Sequence, residues 1–246
     1  MLTGMTLRAW GPKQKMDQES RRRLLLTCPL FDGLPGAALD DILVQSTERL
    51  MRRGQTVFQK GDEGSYMVAV LSGRIRISAT SPEGREVTLN MIDAGEVFGE
   101  MALLDGKPRS ADATAMEDSN LMLVERRHFI PHLTSNPELV LRVIGLLCER
   151  LRETSETLGN FAMLDLPGRL ARKLLNLASQ YGNTTNGRIH LKIRLSHTEL
   201  GRFVGCSRET VNKQMRAWEE SGLVAREGGR IAICAPTALK RIGGQS

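Results

Sequence analysis

The sequence predicts an α+β protein in three parts: an antiparallel β barrel or roll, one long helix, and a small basic unit mixing helices with a β-hairpin. Three patterns carry that expectation. Short β-rich runs punctuated by glycine turns fill residues 52–127. Apolar positions then recur at steps of 4, 3, 4, 3, 4 and 3 from Val140 to Phe161. Residues 167–246 hold fourteen Lys or Arg against five Glu. The net charge of +6 is therefore concentrated in one region, as in a basic domain rather than a basic tail.

A chain of 246 residues, 41% hydrophobic and 25% charged, has ordinary soluble composition and is long enough for one large or two small domains. No apolar stretch approaches the length of a membrane span, so no membrane partner is expected. Residues 1–18 are polar, lack the apolar core of a secretory signal and are expected to form a mobile arm; Met5 and Met16 are alternative starts. The basic balance favours an anionic partner, nucleic acid before membrane surface. Cys28, Cys148, Cys206 and Cys234 have neither metal nor redox spacing, which reads as reduced, mostly buried thiols in a cytoplasmic protein. His128, His132, His190 and His197 are scattered, and no metal is expected.

Taken in order, residues 18–51 read as helical, broken at Pro29 and at Gly33-Leu34-Pro35-Gly36. Strands are expected over 56–58, 67–71, 74–78, 86–92 and 119–124, with turns at Gly61-Asp62-Glu63-Gly64, Ser72-Gly73, Pro82-Glu83-Gly84 and Asp93-Ala94-Gly95. Short strands at near-regular spacing indicate an antiparallel closure. The long helix begins at Asn136-Pro137. Its seam is Val140, Ile144, Leu147, Leu151, Thr154, Leu158 and Phe161. That spacing suits a parallel homodimer; a helix packed only on its own barrel is the alternative. Thr154, followed by Ser155, is the one polar seam position, and such a position costs stability and needs a reason. Leu166-Pro167-Gly168 reads as the end of the helix and a hinge. A helix over 169–181, a loop over 182–187 and a strand over 188–193 follow.

Next, Ser196 caps a helix with Glu199 at the capping-box position. Gly205 supplies a tight turn, and Ser207 caps a second helix. In that helix Val211, Met215 and Trp218 make a buried stripe and leave Arg208, Glu209, Asn212 and Lys213 outward. This is a helix-turn-helix with a polar reading face, and residues 222–233 read as a β-hairpin wing.

The most specific chemistry lies in one loop. Gly99-Glu100-Met101-Ala102 opens it and Arg109-Ser110-Ala111 closes it. An arginine, backbone amides and a Ser hydroxyl cradle a small phosphate, and a carboxylate beside them accepts from a ribose hydroxyl. Gly-Glu or Arg-Ser alone would fit a turn with a surface salt bridge. Together they suit a nucleotide carrying both groups at one end.

Over about residues 28–234 the chain resembles the CRP/FNR family of bacterial transcription regulators. The resemblance is most specific at Gly99-Glu100 with Arg109-Ser110-Ala111, at 150–165 and at 205–211. It implies an arm and helix start over 1–27, a jelly-roll cyclic-nucleotide-binding domain over 28–135, a dimerisation helix over 136–165 and a winged helix-turn-helix domain over 166–246. By resemblance, Glu100 holds the ribose 2′-hydroxyl with Gly99 beside it, and Arg109 and Ser110 clamp the cyclic phosphate with Ala111 following. Met101 and Ala102 complete that contact set. Arg150 reaches back to the pocket carboxylate. Thr154 of one subunit and Ser155 of the other read the base, which gives the polar seam position its reason. Arg208 and Glu209 contact bases in the major groove; Ser196, Ser207 and Thr210 contact phosphates.

The effector so implied is cyclic AMP, with cyclic GMP possible. The implied partners are a second copy of the chain, double-stranded DNA with a palindromic TGTGA-like site, and RNA polymerase. Lys213 stands where the family pattern has a second groove arginine. Lysine offers a point charge where arginine grips guanine with two bonds, so selectivity at one base is expected to soften. A cyclic dinucleotide effector is a competing reading. A regulatory module of an enzyme or channel is another, and the helix-turn-helix argues against it. For an enzyme, the sequence offers no nucleophile–base pair, metal cluster or P-loop, and Gly95–Gly99 matches a dinucleotide fingerprint poorly.

Overall fold

The computed structural model describes residues 16–244, so most of the arm expected over 1–18, with the alternative start at Met5, lies outside the described residues. The chain divides into two units, one of residues 1–83 and 88–151 and the other of 84–87 and 152–246.

In the first unit, Asp17 caps α1 (Gln18–Leu25) by accepting from the Ser20 amide, and α2 is Gly36–Gln45. Eight strands follow: β1 (Thr47–Met51), β2 (Thr56–Phe58), β3 (Tyr66–Ser72), β4 (Arg74–Thr80), β5 (Glu86–Asp93), β6 (Val97–Phe98), β7 (Asp112–Ala115) and β8 (Ser119–Glu125). They make two four-stranded sheets, ordered β1-β8-β3-β6 and β2-β7-β4-β5. Alternation along β3 explains its unbroken apolar run, since successive side chains face opposite ways. Val68 and Val70 join Phe98 and Leu121 against Phe58, Ile75 and Ala113 of the other sheet. Met67, Ala69 and Leu71 face the opposite way, into a core with Leu39, Ile42, Phe129, Leu139 and Val143 from helices. A strand buried on both faces loses the polar alternation of a half-exposed one.

Helices α3 (Glu100–Asp105) and α4 (Arg126–Ser135) also belong to this unit, and α5 (Pro137–Met163) begins in it, its residues from 152 onward belonging to the second. The expected strands are present, but residues 47–51 are not helical. They form β1, an edge strand paired among the described residues to β8 alone, whose mixed polar sequence gives no period of two. Strands β6 and β7 and helices α3 and α4 went unread. The first three are short, and Pro131 lies inside α4, where sequence rules place a break. Of the cysteines, Cys28 alone is buried; Cys148 is exposed, and Cys206 and Cys234 are partly so. The expectation of mostly buried thiols is thereby corrected, because Cys148 falls on the outer side of α5. Val140, Ile144, Leu151 and Leu158 of the α5 seam are 36–69% exposed.

The second unit contains α6 (Leu166–Tyr181), β9 (Gly182–Thr185), β10 (Arg188–Leu191), α7 (His197–Val204), α8 (Arg208–Glu220), β11 (Val224–Glu227), β12 (Arg230–Ile233) and α9 (Pro236–Ile242). Its sheet runs β11-β12-β10-β9. The break after α5 falls at Leu164-Asp165, not at Leu166-Pro167-Gly168. Pro167 sits in the first turn of α6, where its missing N–H costs nothing, and Asp165 caps the helix through the Gly168 amide. The segment 182–187, expected as a loop, is a hairpin arm. Asn186 and Gly187 have φ of 51° and 76°, the left-handed pair that two-residue hairpin turns require.

Basic residues of α6 tie its neighbours together. Arg169 donates to the Val204 and Leu164 carbonyls, and Arg172 donates to Asn160 and the Gly243 carbonyl. Lys173 Nζ lies 4.0 Å from the centre of the Phe203 ring. Burial pulls its pKa from 10.5 to about 8, with the Glu153 carboxylate opposing. Between those pH values the unfolded chain binds the extra proton, so stability rises with pH there. The unfolding free energy of the wild type should therefore climb relative to Lys173→Met from pH 8 towards 10.5 in denaturant titrations. Parallel curves for the two proteins would contradict this.

Candidate functional site

The first candidate region is a cavity of about 80 Å³ lined by Phe58, Ile77, Phe98, Gly99, Glu100, Met101, Ala102, Arg109, Ser110, Ala111 and Arg150. Local sequence explains how these side chains arrive. Gly99 turns the chain from β6 into α3 at φ +76°, and a Cβ there would stand 2.5 Å from Arg109 Nη1. Only glycine combines that dihedral with so close an approach. Glu100 opens α3 and is 4% exposed; Arg109 precedes β7 and is 3% exposed.

Two buried charges of opposite sign organise the cavity. Arg109 donates to the Gly99 carbonyl at 2.8 Å and to the Tyr66 carbonyl at 2.6 Å. Its guanidinium stacks 4.1 Å from the Phe58 ring centre and 4.5 Å from that of Tyr66. Burial pulls its pKa below the usual guanidinium value, while Tyr66, Glu100 and Asp62 pull it up. Glu100 Oε1 pairs with Arg150 Nε at 3.0 Å. A second guanidinium nitrogen of Arg150 donates to the Val97 carbonyl. Two buried polar atoms, Glu100 Oε2 and Arg109 Nε, have no hydrogen-bond partner among the described residues. Burying such groups unpaired is costly, and an acceptor next to a cationic donor fits a ligand that offers a hydroxyl and an anion. That chemistry matches a ribose phosphate.

The structure brings together the candidates from Gly99 to Ala102 and from Arg109 to Ala111, with Arg150. Ser110 and Met101 are exposed at the rim. Thr154 and Ser155 lie one turn beyond Arg150 on α5, both exposed, and do not line the cavity. Phe58 and Tyr66, the aromatic walls of Arg109, were missed. They stand far from Arg109 in sequence, and no local pattern marks them.

The second candidate region is α7, α8 and the hairpin after them. Ser196 and Glu199 form the capping box on α7. The Ser207 hydroxyl accepts from the Thr210 amide and lies 3.0 Å from the Thr210 hydroxyl. Gly205, at φ +69°, ends α7, and a Cβ there would meet Phe161 at 2.8 Å. Val211, Met215 and Trp218 are buried, whereas Arg208, Glu209 and Lys213 are exposed and Asn212 is half-buried. Its own backbone amide first, then the Ser207 hydroxyl and Arg208, hold the Glu209 carboxyl below its usual range. Arg216, exposed on the same face, extends the basic surface. Its place three residues after Lys213 was the available signal.

Among known proteins, residues 48–136 match the cyclic nucleotide-binding domain family, and residues 168–242 match the Crp-like helix-turn-helix domain family. The chain is similar to a CRP-like cAMP-activated global transcriptional regulator of Mycobacterium tuberculosis, with 30% identity over 218 residues, 89% of this chain and 97% of the relative. It is also similar to the cyclic AMP receptor protein of Thermus thermophilus, with 33% identity over 214 residues, 87% and 96% of the two chains. In fold it is similar to the c-di-GMP responsive global regulator CLP of Xanthomonas campestris, with a TM-score of 0.71 at 24% identity over 81% of this chain and 99% of that one. A CRP-family transcriptional regulator of Thermus thermophilus gives a TM-score of 0.67 at 26% identity, covering 80% and 97%.

The Glu100–Arg150 pair permits a charge-balance test. Arg150→Met should destabilise the first unit by about 3–5 kcal/mol, because Glu100 is left buried without its cation. Adding Glu100→Gln should recover most of that loss in denaturant unfolding. Additive losses would mean that the two side chains do not share one electrostatic environment.

Proposed function

This chain belongs to the CRP/FNR family of DNA-binding transcription regulators with a cyclic-nucleotide-binding domain, and from that premise we propose that it is a homodimer switched by cyclic AMP. The observation that carries the effector reading is the cavity holding Glu100 and Arg109, each with a buried polar atom awaiting a partner. The family comprises transcription regulators, not enzymes, and its work on DNA supports a cytoplasmic location.

In this reading Glu100 accepts from the ribose 2′-hydroxyl. Arg109 exchanges the Gly99 and Tyr66 carbonyls for the phosphate, a stronger charge-assisted contact, and Ser110 adds its hydroxyl at the rim. Arg150 holds the Glu100 carboxylate in place through their ion pair. Thr154 and Ser155 read the base from the two α5 helices, which pair along the exposed seam. Bound nucleotide supplies a bridge of charge and hydrogen bonds between these groups. The helices then favour the arrangement that sets two copies of α8 about one DNA turn, roughly 34 Å, apart, with rotation absorbed at Leu164-Asp165. Arg208 and Glu209 meet base edges of a palindromic TGTGA-like site; Asn212 and Lys213 flank them, and Ser196, Ser207 and Thr210 contact phosphates. The DNA-bound dimer then meets RNA polymerase.

Calorimetric titration of one preparation with cyclic AMP, cyclic GMP and cyclic di-GMP tests the effector. Cyclic AMP should bind tightest, and Arg109→Lys should weaken it about tenfold to a hundredfold, since a point charge replaces a two-bond fork worth about 1.5–3 kcal/mol. Tighter binding of cyclic GMP or cyclic di-GMP would transfer the reading to that ligand. Unchanged affinity in a folded Arg109→Lys variant would remove the phosphate clamp.

Binding-site selection tests the DNA reading. Arg208→Ala should cost about 1–3 kcal/mol and relax one base in each half-site, while Lys213→Arg should sharpen guanine preference. Wild-type affinity should fall about 10³-fold or more between 50 and 200 mM salt. A selected site that keeps its full information in Arg208→Ala would show that α8 is not the reader.

A further inference from the structure

Arg150 lines two cavities, and the proposed nucleotide site uses only one of them. The other measures about 290 Å³, near the lower edge of small-molecule pockets. Its apolar wall is Leu30, Val97 and Leu146, with Cys28, whose thiol burial pushes above its ordinary pKa and keeps neutral. Arg142 and Arg150 stand at its edge, as do Glu96 and Glu149. We infer that this cavity is a second ligand site, for a small amphiphilic carboxylate, and that it acts on the nucleotide site through Arg150.

Charge and geometry favour an anion. The Glu96 carboxylate is already engaged by the Asp93 amide at 2.6 Å, and Glu149 is exposed to solvent. Among the described residues Arg142 has a distant ion pair, 4.0 Å from the exposed Asp32. So loose a pair leaves the Arg142 guanidinium able to turn to a ligand carboxylate at the cavity edge. An apolar tail along Leu30, Val97 and Leu146 with a carboxylate at the arginines satisfies both halves of the lining.

The cavity also stays clear of the seam. At about 100° per residue, Arg142, Gly145 and Glu149 face roughly 150° away from the stripe of Val140, Ile144, Leu147 and Leu151. A second copy seated on that stripe leaves the opening uncovered. At Gly145 the wall has no side chain, and a Cβ there would meet nothing within 4 Å.

Coupling follows from the shared guanidinium. A carboxylate in the second cavity competes with Glu100 for Arg150 and so loosens the pair that holds Glu100 ready for the ribose. Occupancy of one site then weakens the other, and by linkage the effect is reciprocal. This coupling rests on the nucleotide reading above; the site itself does not.

Calorimetry on the full chain separates the two. Octanoate should bind the nucleotide-free protein saturably and octylammonium should not. Gly145→Leu, which fills the cavity, should abolish octanoate binding while cyclic AMP binds as in wild type. Saturating octanoate should raise the Kd of cyclic AMP about fivefold or more to a plateau, and cyclic AMP should raise the octanoate Kd by the same factor. Absence of saturable octanoate binding, equal binding of octylammonium, or binding retained in Gly145→Leu overturns the site. A cyclic AMP Kd that does not move, or that climbs without a plateau, overturns the coupling, the latter because it marks competition inside one cavity. Octanoate binding that Gly145→Leu removes supports the site even in a preparation that binds no cyclic nucleotide.

Discussion

The ion pair between Glu100 and Arg150 is the constraint on which the first unit turns. A carboxylate at 4% exposure needs a cation close by, since burying one charge alone costs far more than burying a pair. The cation comes from α5, about fifty residues away along the chain. The loop that begins α3 and the position of α5 are therefore not independent. Moving the helix away from the loop leaves a charge unsatisfied, and turning the loop outward strands the arginine. Arg109 adds a second constraint on the same loop. Its stacking between Phe58 and Tyr66 ties the loop to strands of both sheets.

Coupling in the second unit takes a different form. Among the described residues no single buried pair dominates there; α6 presents Arg169, Arg172 and Lys173 to the end of α5, to α7 and to the residues after α9. Many of these partners are backbone carbonyls and ring faces. Such contacts ask for a cation and a shape, and they tolerate exchange of the partner side chain better than a carboxylate pair does. The sharp restriction is Gly205, fixed both by its positive φ and by the Phe161 ring. The α7–α8 turn is thereby bound to the end of α5 by packing, with no hydrogen bond required.

Sequence revealed the parts whose pattern is local. Caps at Ser196 and Ser207, the buried stripe of α8 and the long helix are all set by residues within a turn or two of one another. Strand β3 was legible because two buried faces leave a continuous apolar run. What escaped was set by distant partners. Strand β1 owes its conformation to pairing with β8, and α4 holds Pro131 because Phe129 and its neighbours have a core to fill. In the cavity, Glu100 and Arg109 were legible as a motif, whereas the aromatic walls and the second cavity beside Arg150 arise only when the sheets and α5 meet. The hairpin at 182–191 was only half legible: Asn186-Gly187 carries the turn signal, and the polar strand before it carries none.

The stripe along α5 has a consequence for how much protein a cell must hold. Val140, Ile144, Leu151 and Leu158 remain open to water in the single chain, so covering them in the proposed homodimer is a second-order event governed by mass action. For the proposed homodimer, the fraction of paired chains falls with concentration at low copy number, and the amount bound to a two-fold site falls more steeply than the amount of protein. Expression level becomes an input alongside any small molecule. A modest change in synthesis or turnover would then be read at the promoter as a disproportionate change in occupancy.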